Sequence, residues 1–142
     1  MEVWIVSLVI VAIIGIAYTR YTYRPSWEFL RCRDTNKEQW SKRYSPSDLP
    51  VVFEALEDIV FSFLLREDDI YRLRPNDRLH DIYKSAYPHG GADSLEFENL
   101  ASSLMEKGVS EQILEELTNP TVGDIINLCL TNQSTRTDLR GV

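Results

Sequence analysis

Few side chains in this sequence are of types that do chemistry, and fewer are spaced to do it together. Ser94 is the best placed, in the run Gly90-Gly91-Ala92-Asp93-Ser94-Leu95-Glu96-Phe97-Glu98, where a hydroxyl follows two glycines and sits among three carboxylates. A carboxylate pair divides acid and base work when a cleft sets the two proton affinities apart. Asp93, Glu96 and Glu98 would share one short helical turn and stay in water, so their spacing argues against such a pair. Two histidines, His80 and His89, are too few for most metal enzymes, and His89 reads as a surface loop histidine. Two cysteines, Cys32 and Cys129, are too distant in sequence for a disulfide framework or a cysteine metal site. Asp68, Asp69, Asp77 and Asp81 do not follow a calcium-loop order, and no glycine-rich nucleotide cradle is present. The sequence therefore predicts no catalytic residues and no metal, and the protein is expected not to be an enzyme.

The elements that would position Ser94 are helical. Val52, Leu56, Ile59, Val60, Phe63 and Leu64 fall at helical spacing, with Glu54, Glu57, Asp58 and Arg66 mainly on the other face. This predicts a helix over 49–65, capped by Ser47 or Asp48. A long stretch with Pro75, Pro88, Gly90 and Gly91 follows, of the kind that is functional or carries short helical turns of its own. Asp93 begins the next helix, with Glu96 as capping-box partner, an apolar stripe of Phe97, Leu100, Ala101 and Leu104, and Gly108 as the stop. A short helix over 111–117 precedes Asn119 and Pro120. Thr121 then caps a last helix, with Asp124 in its first turn, running through Val122, Ile125, Ile126, Cys129 and Leu130. From Thr131 the chain is polar and expected to fray. No segment alternates well enough to demand a sheet, so the fold class is all-α, with a four-helix body.

Charge divides the 142 residues into zones. Residues 1–19 carry −1, residues 20–43 carry +4, and the remainder carries −10, against −7 for the whole chain. The uncharged run from Val3 to Tyr18 would span roughly 24 Å as a helix, slightly short of a hydrocarbon core of about 30 Å. Thr19 and the stem of Arg20 extend it, and Trp4 and Tyr18 suit the two interfaces. Met1 and Glu2 do not make the basic leader of a signal peptide, and no small-residue cleavage site follows. The head is read as a single-pass transmembrane helix. Its basic flank is C-terminal, which puts the N-terminus outside and the body in the cytoplasm.

The neck mixes arginine and lysine with Tyr21, Tyr23, Trp27, Phe29, Trp40 and Tyr44, a composition that fits the lipid headgroup layer. Cys32 is near enough to the membrane for palmitoylation, though a reduced bystander thiol is the better explanation. Nucleic acid is not an expected partner, because the acidic body would repel a phosphate backbone. The divisions are a transmembrane anchor over 1–19, a basic aromatic neck over 20–46, a helical domain over 47–132 and a polar tail over 133–142.

Four pieces of the body, taken in order, resemble the acyl carrier protein family. They are a first amphipathic helix ending in the acidic loop Glu67–Ile70, the run Leu73-Arg74-Pro75-Asn76-Asp77-Arg78-Leu79, the run Gly91-Ala92-Asp93-Ser94-Leu95-Glu96, and Thr121-Val122-Gly123-Asp124-Ile125-Ile126. The resemblance covers roughly residues 49–131. It implies an acyl-carrier-like four-helix bundle whose Ser94 bears 4′-phosphopantetheine, attached by a phosphopantetheinyl transferase, with Asp93 and Leu95 beside the attachment point. A thiol at the end of that arm would hold an acyl or aminoacyl thioester. Glu96, Phe97 and Leu100 would then face partner enzymes. The chemistry of the site agrees: a helix start favours a phosphate anion, and Gly90, Gly91 and Ala92 leave room for an approaching protein.

The sequence also departs from that pattern. The stretch between Leu79 and Gly91 is several residues longer than the usual loop, Glu98 follows Phe97 where an apolar residue is usual, and Asn99, Ser102 and Ser103 stand where acidic residues are common. A membrane span ahead of a carrier domain is itself atypical. The expected function is to present a tethered thioester to acyl-transferring enzymes at the bilayer, with the acidic surface speeding their docking. A second reading is an unmodified carrier-like fold that serves as a membrane-bound adaptor. A third is a subunit packed into a larger membrane complex.

Overall fold

A computed structural model describes residues 6–18, 30, 32–86 and 95–140. The described residues are mostly helical, with no strand among them and one isolated bridge between Arg78 and Thr121. All-α is therefore the class. Helix α1 covers residues 6–18, and the body carries α2 (Gln39–Arg43), α3 (Leu49–Ser62), a 3-10 turn (Glu67–Tyr71), α4 (Leu79–Ala86), α5 (Leu95–Glu106), α6 (Glu111–Glu116) and α7 (Val122–Arg140).

Every residue of α1 is exposed, including Leu8 and Val11, and none carries a charge. Among the described residues, no helix is long and apolar enough to cross a membrane. Met1–Ile5 and Thr19, where the expected span begins and ends, lie outside them.

Helix α3 is the axis of the body. It packs mainly against α7, then α5 and the 3-10 turn. Val52, Leu56 and Ile59 form its inner stripe and are wholly buried, as are Leu73 and Ile126. The helix starts after Asp48 with Pro50 in its first turn, where a missing N–H costs nothing, but Asp48 makes no side-chain cap. It ends at Ser62, three residues before the expected 65, because Leu64 turns to φ +53° and closes the helix.

The long connection after α3 carries the 3-10 turn and α4. Asp69 holds the turn by accepting the Arg66 backbone N–H at 2.9 Å and the Arg72 guanidinium at 2.9 Å. Leu79 and Ile82 then drive α4 into the core.

Two expectations are corrected. Trp40, assigned to the headgroup layer, is fully buried in the body, where its indole N–H donates to Ile70 O at 3.1 Å. Leu30 shares that core, and Gln39 donates to Leu73 O at 2.8 Å. The second half of the neck thus packs as part of the globular body, since an indole gains more from a dry core with a hydrogen-bond partner than from an interface.

The second correction concerns the tail. Instead of fraying after Thr131, α7 continues to Arg140. Thr131, Ser134 and Thr135 donate back to the carbonyls of Asn127, Leu130 and Thr131, and Asn132 donates to Lys107 O at 2.9 Å. Those bonds absorb hydroxyls that would otherwise compete with the helix.

Candidate functional site at the start of α5

Ser94, Asp93 and the glycine run Gly90–Gly91 lie outside the described residues. They adjoin the start of α5. Ser94 is bonded to Leu95, the first residue of the twelve-residue helix α5, and Leu95 is 51% exposed.

The residues that follow turn inward. Glu96 is 8% exposed, and its Oε2 has no hydrogen-bond partner among the described residues. Leu100 is a core residue. The partner-facing role expected for Glu96 and Leu100 is therefore corrected, because the inward stripe of α5 runs through 96, 100 and 104. Phe97 is half-buried. It meets Phe63 edge-on with ring centroids 5.2 Å apart and Tyr83 at 5.3 Å, which ties the first turn of α5 to the end of α3 and to α4.

The loop that precedes the site by sequence is held to the start of α7. Gly123 N–H donates to Pro75 O at 2.8 Å, Val122 N–H to Asp77 O at 2.8 Å and Leu79 N–H to Pro120 O at 3.0 Å. Thr121 caps α7 by accepting the Asp124 backbone N–H at 3.1 Å, as the sequence predicts, and Asp124 reciprocates by accepting the Thr121 N–H at 2.8 Å. Arg33 reaches the same junction by pairing with Asp77 at 2.5 Å.

A second cluster was not legible in the sequence. Lys107, just beyond the end of α5, pairs with Glu54 at 3.0 Å and with Asp58. Burial lowers its proton affinity, but the hydrogen bonds and charges of Asp58 and Glu54 outweigh that and leave it raised above the ordinary 10.5. Cys129 lies nearby, and burial pushes its thiol up to about 11. These residues, with Asn132 and Arg136, line a cleft of about 200 Å³ between α3 and α7. The cleft stands at the opposite end of α5 from Leu95, roughly 18 Å away along the helix, so it is no part of the Ser94 site. The one clue to it in the sequence is a lysine beside a helix-stopping glycine.

Comparison with protein-family models, curated proteins and solved structures finds no match to this chain.

Proposed function

We propose that this protein is a membrane-anchored carrier whose body is an acyl-carrier-like four-helix bundle of α3, α5, α6 and α7. Its work is to present a thioester, tethered through 4′-phosphopantetheine on Ser94, to acyl-transferring enzymes at the membrane surface. The observation that carries this reading is the junction of two sequence runs that resemble the carrier family. Leu73–Leu79 and Thr121–Ile126 are more than forty residues apart, yet two backbone hydrogen bonds join them, and a third ties Leu79 to the adjoining Pro120. A framework closed in this way would frame the long connection that leads to Ser94.

The residues beside Ser94 fit the arm. Leu95 stands exposed at a helix start, where the helix dipole would favour the negative charge of a phosphodiester. When bound, the arm supplies a terminal thiol that holds the acyl group. The chain supplies the helix end and an acidic surface that steers basic enzymes. An anchor role for the head is supported by α1, an uncharged helix whose apolar side chains point outward all round, as they do in lipid. The proposed topology leaves the body in the cytoplasm, and protease accessibility in sealed membranes tests it.

Intact mass of protein purified from its own host tests the carrier reading, with Ser94→Ala as control. The expected result is a gain of one phosphopantetheine arm that the control lacks. An unmodified mass, unchanged by a broad-specificity phosphopantetheinyl transferase with coenzyme A, overturns it in favour of an adaptor.

A further inference from the structure

Helices α3 and α5 end in the same hydrogen-bonded motif but carry opposite residues at its critical position. At the end of α5, Gly108 N–H donates to Met105 O at 2.8 Å and Val109 N–H to Leu104 O at 3.1 Å, with Gly108 at φ +88°. At the end of α3, Leu64 N–H donates to Phe61 O at 3.2 Å and Leu65 N–H to Val60 O at 2.9 Å, with Leu64 at φ +53°. This closure puts one residue in the left-handed region, where a Cβ crowds the following carbonyl oxygen and glycine is favoured.

Leu64 gains little packing in return, because it is 74% exposed. Phe61, three residues earlier, is 80% exposed. Phe63 lies between them in sequence, is buried, and packs on Phe97. The exposed pair therefore stands at the end of the body where α5 begins. Two large apolar side chains in water, one of them in a strained conformation, do nothing for the isolated fold.

We infer that Phe61 and Leu64 form a docking knob for a partner protein offering an apolar recess rimmed by lysine and arginine. The bordering charges select this occupant over two others. Glu57, one turn before Phe61, is exposed, and so are Glu67 and Asp68 just after Leu64, with Arg66 as the single cation among them. An anionic lipid surface would be repelled by this border. A second copy of the chain would bring like charges together. A cationic rim satisfies the border while the recess takes both side chains from water, as a small apolar anchor does at an interface centre. The inference uses neither Ser94 nor its modification, so it stands or falls apart from the carrier reading.

A photo-crosslinking benzoylphenylalanine at position 61 or 64 of the full chain, in membranes of its own host, tests it. The control probe replaces Ile113, which is 45% exposed on α6. The expected result is one protein adduct from 61 and 64 and none from 113, with a yield that falls about fivefold in about 0.5 M salt. Adding Leu64→Gly to the 61 probe should abolish the adduct, while Leu64→Gly alone melts roughly 2–5 °C higher than the parent. A lipid adduct, an adduct to a second copy, no adduct, or one indifferent to salt and to Leu64→Gly overturns the inference. A lower melting temperature for Leu64→Gly also overturns it, because Leu64 would then be supporting the fold.

Discussion

The backbone N–H of Gly123 donates to Pro75 O at 2.8 Å, and a Cβ on Gly123 would stand 3.0 Å from that same oxygen. The oxygen cannot retreat from an added side chain without losing the bond that joins Leu73–Leu79 to α7. Gly123→Val is expected to lower the unfolding free energy by about 2 kcal/mol in urea titrations. A change below about 0.5 kcal/mol would mean that the junction yields and is not a fixed frame.

Trp40 provides a test of where the body begins. If it served the headgroup layer, its loss would alter membrane affinity and leave folding alone. Its burial and its bond to Ile70 O predict that Trp40→Ala costs about 3–5 kcal/mol, enough to unfold a marginal body. Trp40→Phe should cost less, because it keeps most of the apolar contact and leaves one carbonyl unpaired. Far-ultraviolet circular dichroism during thermal melting separates these outcomes.

Leu95 and Leu100 lie on one helix but in different surroundings. Leu100→Ala removes a core side chain and should cost about 2–5 kcal/mol. Leu95→Ala is expected to change stability by less than about 0.5 kcal/mol, and under the carrier reading to slow modification of Ser94. Paired urea titrations and timed intact-mass measurements read both effects. Equal loss of stability in the two variants would contradict the face that α5 turns inward.

Lys107 and Cys129 predict an alkaline limit. Lys107 is raised above 10.5 in the folded protein, so its contribution is complete below that pH and is lost as pH climbs through the higher folded value. The Cys129 thiol is raised from 9.0 to about 11, which favours the folded state below pH 9 and loses that advantage between the two values. Melting temperature should therefore fall above pH 9. In Cys129→Ala the fall should begin later, near pH 10.5, and in Cys129→Ala with Lys107→Gln the curve should flatten. A fall with the same onset in all three would assign the limit to other groups.

The two thiols should also differ in reactivity. Cys32 is exposed and Cys129 is buried. At pH 8, iodoacetamide is expected to label Cys32 first. The raised Cys129 value alone leaves its thiolate about 100-fold scarcer than that of an ordinary thiol, before burial restricts access further. Peptide mass spectrometry over time checks the order, and urea should make the two sites equivalent.

The local plan of the body was legible because it rests on local rules. Apolar spacing located α3 and α5, Gly108 marked a helix end by tolerating φ +88°, and the Thr121–Asp124 pair announced α7 through a cap that needs no distant partner. What the tertiary structure decided involves groups far apart in the chain. Trp40 reads as an interfacial aromatic until Ile70 supplies a carbonyl thirty residues away. The hydroxyl-rich end of α7 reads as a frayed tail until Asn132 finds Lys107 O. Leu64 looks like one more core residue of α3 until its positive φ turns it out into water. Sequence periodicity assigns a face to each residue within its own helix. It cannot say where that helix stops, or which distant group will meet the face, because both depend on packing energies that exist only once the elements are assembled.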